Sequence, residues 1–371
     1  MRSLPLADAH DAQVARCTYC PKLCRHACPV STAEARETTT PWAKMASLHH
    51  VRRGVLDADP SVASTWWACT GCLRCRSFCE HRHEVARTLA AGRAEAVRRG
   101  WEPPSVRRWL DRASERERRV RVAATPWRSG AAADPTRVYL PGCSALVRAP
   151  EQAEAGFDAL RVLYRAEPTV LADRCCGLPW LEAGDPDGFA RRARAMLDEI
   201  RTRREAVFLD PGCLHALRVI APSMGIDVPA GSRLRHLVEV AADRLETWSP
   251  VELDGAVRYL DPCRLARGLG VVEAPRRLVS HVLGRAPNET FHHGALAECS
   301  GQGGLLPVTA RGTADAIARE RLAEHERAGG GWLLTACPSS TVALRRVGAR
   351  VLSMADLLRA SARREPLRVE A

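Results

Sequence analysis

"RCCGLPW", residues 174–180, returns 124 residues further on as "ECSGQGG", residues 298–304, with Ser300 standing where Cys176 stood. The copying extends beyond this loop. Cys213 reappears at the same spacing as Cys337, and Cys143 reappears 120 residues later as Cys263. Their surroundings repeat as well: "RVYLPGC" (137–143) matches "VRYLDPC" (257–263), and "AVFLDPGC" (206–213) matches "GWLLTACP" (331–338). Self-similarity over this length marks a duplicated structural unit. Each apolar run has the length of a short buried strand. Helical segments are predicted after them at 150–166, 187–204 and 213–220, then again at 272–284, 310–328 and 340–347. Strand alternating with helix predicts a Rossmann-like parallel α/β layer in each half, 136–250 and 251–371. Ligands of such sheets gather beyond the carboxyl ends of the strands. Cys143, Cys213, Cys263 and Cys337 all fall just past a predicted strand, and the paired cysteines lie in a loop that can meet them there.

The other eight of the 15 cysteines lie in two tight runs near the N-terminus. Cys17, Cys20, Cys24 and Cys28 form C-x2-C-x3-C-x3-C-P, and Cys69, Cys72, Cys75 and Cys79 form C-x2-C-x2-C-x3-C. Zinc sites usually pair two C-x2-C units, whereas a third and fourth cysteine at this spacing match bacterial dicluster ferredoxins. In that pattern the fourth cysteine of each run reaches across to the other cluster. The expected sets are therefore Cys17, Cys20, Cys24 and Cys79 for one [4Fe–4S] cluster, and Cys69, Cys72, Cys75 and Cys28 for the second. The segments between and after the runs read as helices, so residues 1–99 are expected to form an α-helical dicluster ferredoxin domain. Trp66 and Trp67 precede the second run, either as water-excluding neighbours of its cluster or as ordinary core. Residues 100–135, bounded by Pro and Gly around a charged centre, read as a linker with one exposed helix.

Composition narrows the setting. Hydrophobic residues make up 46 % of 371, which suits a globular chain of two or three domains. No uncharged apolar run reaches the roughly 18 to 20 residues that span a bilayer, and the acidic N-terminus lacks the core of a signal peptide, so a cytoplasmic protein is expected. In a reducing compartment so many cysteines imply metal or redox chemistry rather than disulfides. The formal charge of +12 comes almost wholly from Arg, Lys22 and Lys44 being the only lysines. These arginines are scattered beside acids, as in "DRASERERRV", which favours solvated helix faces and an acidic partner over nucleic acid. The "GQGG" glycines lack a following Lys-Ser or Lys-Thr, so they serve close backbone approach to sulfur or substrate rather than a nucleotide.

The "CCG" and "CSGQGG" loops, with "YLDPCRLARGLGVVEAPRRLV" (259–279) between them, resemble the duplicated cysteine-rich domain of the heterodisulfide reductase family. Its members include the B and D subunits of heterodisulfide reductase, the iron–sulfur subunit of glycolate oxidase, the C subunit of the anaerobic glycerol-3-phosphate dehydrogenase and lactate-utilisation proteins. Several carry an N-terminal dicluster module, so the resemblance covers nearly the whole chain. Four departures stand out: an extra residue between Cys20 and Cys24, Glu80 in place of Pro, Ser300 for Cys, and no closing C-x2-C, with Ala216 after Cys213 and Ser340 after Cys337. In the B subunit of heterodisulfide reductase five cysteines per half hold a non-cubane cluster. Here the first half keeps four, Cys143, Cys175, Cys176 and Cys213, enough for a third [4Fe–4S] cluster. The second keeps three, Cys263, Cys299 and Cys337, a degenerate site needing Ser300, Ser340, His292 or His293 to complete it.

The resemblance implies an iron–sulfur electron-transfer subunit of a multi-component oxidoreductase. It would relay electrons between a flavin-containing dehydrogenase partner and a quinone or membrane-associated acceptor. Arg25, Arg74 and Arg76 are the cations expected to stabilise the reduced clusters. Two further readings stand beside it: a catalytic disulfide reductase acting through the first-half cysteines, and a zinc-stabilised scaffold or nucleic-acid-binding protein.

Overall fold

The computed structural model describes residues 4–127, 133–229, 233–365 and 367. It divides into a helical unit and an α/β unit. The helical unit holds the described residues up to Ala113 together with Leu178–Phe189 and Glu298–Glu320. The α/β unit comprises the described residues of Ser114–Gly177, Ala190–Ala297 and Arg321–Ala371. Among the described residues no helix is long and apolar enough to cross a membrane.

The helical unit is built from short helices. In Pro41–Arg53 and Pro60–Trp67 the proline sits at the first turn, where its missing N–H costs nothing. The preceding Thr40 and Asp59 side chains accept from the Ala43 and Val62 amides at 3.2 and 2.8 Å. Val85–Arg99 runs through the centre and buries Leu89 and Ala96. Leu4, Met45, Leu48, Trp66 and Trp67 are fully buried around it. Both indoles thus belong to the core, each contributing roughly 1.5–3 kcal/mol or more of burial. Within residues 100–135 the structure has two helices, Pro104–Asp111 and Ala113–Ala124, where the sequence suggests one; residues 128–132 of that stretch lie outside the described residues.

In the α/β unit β1 (Asp134–Leu140), β2 (Pro168–Val170), β3 (Glu205–Phe208) and β4 (Arg233–His236) form one parallel sheet in the order β2-β1-β3-β4. The second half repeats it. β5 (Val257–Tyr259), β6 (Asn288–Glu289), β7 (Trp332–Thr335) and β8 (Val351–Ser353) are parallel in the order β6-β5-β7-β8. The duplicated parallel α/β architecture is therefore as the repeat predicts. The six helical segments also appear, as Pro150–Tyr164, Pro186–Ile200, Pro211–His215 with a π-helical turn to Ile220, Glu273–Leu283, Arg311–Arg327 and Pro338–Arg346. The fourth strands, β4 and β8, have no counterpart among the predicted elements. Each is only three or four residues long, too short for a periodicity signal.

In each sheet the chain leaves the first strand toward one side and returns on the other. The order reverses between β1 and β3, and between β5 and β7. That reversal opens a crevice beyond the strand ends. Cys143 follows β1 and Cys213 follows β3; Cys263 follows β5 and Cys337 follows β7. The topology itself sets a pair of thiols at each crevice.

Candidate metal centres

The two N-terminal runs interleave. Cys17 lies close to Cys24, Cys79 and Cys20. Cys75 lies close to Cys72, Cys69 and Cys28. The fourth cysteine of each run thus stands with the first three of the other. Burial, reinforced by those neighbouring sulfurs, pushes the Cys17 thiol up to about 12 and the Cys24 thiol up to about 11. Binding a metal would take the place of the protons on these thiols. Cys28, Cys69, Cys72 and Cys75 line a cavity, and no three His, Cys, Asp or Glu among the described residues converge as ligands of a single ion. Four thiols around a void, with no carboxylate or imidazole among them, fit a [4Fe–4S] cluster.

Charges around the runs differ from the sequence expectation. Arg25 is exposed and pairs with Glu37 at 2.7 Å, and Arg76 pairs with Glu84 at 2.6 Å, so neither is a buried cation. Arg74 is buried; it donates to the Ala27 carbonyl at 3.4 Å and pairs with Glu298 at 3.1 Å. The cation that the sequence did not single out is Lys44. It is 1 % exposed, lines the same cavity as the second thiol set, and points its Nζ at Cys28 Sγ, 3.6 Å away, and at the Ala68 carbonyl. Burial alone would lower its pKa; the Cys28, Cys69 and Cys75 thiols reverse that and hold it above the usual lysine value. One signal was available: in a chain that uses Arg almost everywhere, a lysine is an exception.

The loops after the paired cysteines complete the helical unit. A Cβ at Gly303 or Gly304 would overlap the carbonyl oxygens of Thr70 and Cys69, so this stretch of "ECSGQGG" lies directly on the backbone of the second run. Gly184, in the first copy, lies on the Arg93 carbonyl, and Arg93 donates hydrogen bonds to the Glu182, Cys69 and Trp66 carbonyls at 3.0, 3.1 and 2.8 Å. The glycines of "GQGG" divide their work. Gly301 donates its N–H to Cys299 Sγ at 3.3 Å, as a role in approaching sulfur requires, and the other two provide packing.

In the α/β unit Cys143, Cys175, Cys176 and Cys213 come together as a chain of hydrogen-bonded thiols. The bond from Cys176 favours the Cys213 thiolate, but burial and the Asp210 carboxylate outweigh it and push that thiol up to about 12. Asp210 caps the helix that carries Cys213, accepting from Gly212 N at 2.7 Å and Cys213 N at 3.3 Å. Residues of the second half meet it. Arg264 lies 3.0 Å from His215 Nδ1, Ser144 lies 3.1 Å from Ser339, and Cys337 is near Asp210 and Cys263. Cys299 and Ser300 fall in the helical unit, so the second-half set is divided between the units. Ser340 hydrogen-bonds Cys337. His293 is exposed and engages the Thr290 carbonyl of its own loop at 3.1 Å, while His292 packs on Phe291.

Comparison with known proteins finds matches over both cysteine-rich regions. A family model described as a 4Fe-4S dicluster domain matches residues 13–83, and one described as a cysteine-rich domain matches residues 257–345. The chain is similar to the heterodisulfide-reductase-related iron–sulfur proteins. It is 26 % identical over 291 residues to the D subunit of the dihydromethanophenazine:CoB–CoM heterodisulfide reductase of Methanosarcina acetivorans, covering 73 % of this chain and 70 % of that one. The D subunit from Methanosarcina barkeri is 25 % identical over the same shares. The B subunit of the fumarate reductase (CoM/CoB) of Methanothermobacter marburgensis is also 25 % identical, over 76 % of this chain and 57 % of that protein. The dicluster and cysteine-rich matches, with these reductase relatives, support [4Fe–4S] clusters as the cofactors and electron transport as the setting. The second copy is the one the cysteine-rich description matches; the first shares its strand order.

Proposed function

We propose that the chain is the electron-relay subunit of a multi-component oxidoreductase, passing electrons between a flavoprotein dehydrogenase and a quinone or other acceptor. Cys17, Cys20, Cys24 and Cys79 would hold one cluster, Cys28, Cys69, Cys72 and Cys75 a second, and Cys143, Cys175, Cys176 and Cys213 a third. Cys263 and Cys337 in the α/β unit and Cys299 in the helical unit are short of a full set. Bound clusters supply reversible one-electron chemistry across a wide range of potentials. The chain's own residues do the rest. Trp66 and Trp67 keep water out of the core beside the second run, and Arg74 fixes Glu298, at the head of the second paired-cysteine loop, against that run. The observation that carries the reading is the seat of Gly303 and Gly304 on the Cys69–Thr70 backbone, which gives electrons a short covalent and packed route out of the second set. The sequence has no dinucleotide-binding glycine motif, so two-electron flavin or nicotinamide chemistry is assigned to the partner.

The contiguous thiols of the first half, and relatives whose names include a CoB–CoM heterodisulfide, favour a second reading: reduction of a disulfide at that site by two electrons and two protons. One experiment separates them. Protein purified without oxygen is reduced by photoreduced flavin, then offered a water-soluble quinone or the CoB–CoM heterodisulfide. Reoxidation by quinone alone supports the relay; turnover of the disulfide to two thiols supports the second reading. A colourless, iron-free protein would overturn both.

A further inference from the structure

We propose that Lys44 is the residue that sets the second cluster above the first in reduction potential and so gives the relay its direction. The inference rests on the reading of the N-terminal cysteines as cluster ligands. Lys44 sits on the helix Pro41–Arg53, its backbone in regular α-helical geometry, and sends its side chain inward rather than to solvent. Its ammonium lies at Cys28 Sγ and beside Cys69 and Cys75, three members of the second set, and it lines the cavity those thiols enclose. On the first run the cations Lys22 and Arg25 reach solvent and both pair with Glu37, at 3.8 and 2.7 Å.

The field of a buried charge is little screened, so one ammonium acts strongly on the group it touches and weakly on one farther off. An added electron makes a thiolate-ligated cluster more negative, and a fixed cation at its ligand stabilises that reduced form. N–H donors and cations near the sulfurs are the means by which proteins raise such potentials. Lysine suits the position, being a compact point charge with three donors on a long apolar stem that crosses the core. Electrons arriving at the first cluster would then fall toward the second. From there they reach the segment at Gly303 and Gly304 that lies on Cys69 and Thr70.

The test is a redox titration followed by electron paramagnetic resonance, with iron counted in every sample. Cys20→Ala identifies the first cluster's signal by removing it. In the unaltered protein the second cluster should take up the electron first. Lys44→Gln should move the second cluster's reduction equilibrium at least tenfold toward the oxidised form, or ~59 mV for a one-electron couple. The first cluster should keep its potential, and Lys44→Arg should restore most of the second cluster's. Should Lys44→Gln fail to retain the cluster, the order of potentials in the unaltered protein decides: a first cluster reduced before the second overturns the inference. So does an unchanged second potential in an iron-replete Lys44→Gln protein. A zinc-loaded, iron-free protein would instead defeat the underlying reading of the cysteines.

Discussion

Three glycines do the same job in three places. Gly71, Gly177 and Gly301 each stand two residues after a cysteine, with φ of 64°, 83° and 86°. Each turns its N–H back onto that cysteine's sulfur, at 3.4, 3.4 and 3.3 Å. Only glycine takes this left-handed turn without the ~1 kcal/mol or more that a Cβ imposes. The C-x-G pattern is thus legible in the sequence as a sulfur-approaching turn, although which sulfurs then meet is not. Ser300 sits inside one such turn, at the position where the first copy has Cys176. A different residue, His236, shows what no pattern predicts. It is buried, donates from Nε2 to the Leu209 carbonyl at 2.9 Å, and accepts from Val238 N at Nδ1 at 3.3 Å, capping the helix Leu237–Ala242. Burial drives its pKa down to about 4, more than the Leu209 bond raises it. The folded protein therefore holds it neutral while the unfolded chain takes up a proton near pH 6.5. Its stabilisation is complete above about pH 6.5 and is lost as pH falls toward 4, a span worth on the order of 3 kcal/mol. His236→Asn, which keeps a capping acceptor without a titrating ring, should flatten the decline of apparent melting temperature between pH 7 and 5. An equally steep decline in that variant would show the acid sensitivity to lie elsewhere.

Among the elements, the strand-and-helix repeat was readable because apolar runs and helical periodicities recur at a fixed interval. Their packing was not. Nothing in "GQGG" says that two of its glycines rest on a loop more than 230 residues earlier in the chain. Gly304 has φ +67° and no room for a Cβ against the Cys69 carbonyl. Gly304→Ala should therefore cost about 1–3 kcal/mol by overpacking and lower the melting temperature of the apoprotein. Gly312, in the helix Arg311–Arg327, has nothing within 4 Å of a Cβ position. Gly312→Ala should be neutral or stabilise by ~0.5–1 kcal/mol. Equal melting temperatures for the two variants would contradict the packing argument. The π-helical turns after Cys213 and Cys263, at Ala216–Ile220 and Arg264–Gly268, are likewise a matter of packing. They fall at matching places in the two halves, where His215 closes onto Gly268.

For the whole molecule the expected metal content follows from the thiol sets. Three complete sets predict ~12 irons per chain, and Cys176→Ala should bring that to ~8 while leaving the ferredoxin signals intact. An unchanged count in Cys176→Ala would remove the third cluster from the proposal; ~16 in the unaltered protein would mean that a serine or histidine completes the second-half set. The covalent pattern needs nothing beyond the string of residues: which cysteines are close along the chain, that the α/β unit is copied, and that one copy has Ser300 where the other has Cys176. Those properties live in spacing and periodicity, which a linear string records in full. The burial of Lys44 among the second set, with Arg25 and Arg76 left in ion pairs near solvent, emerges only in three dimensions. So does the way both paired-cysteine loops feed segments into the helical unit. Burial and the meeting of distant segments depend on which apolar surfaces find each other as the chain closes, a many-body outcome that no local pattern encodes.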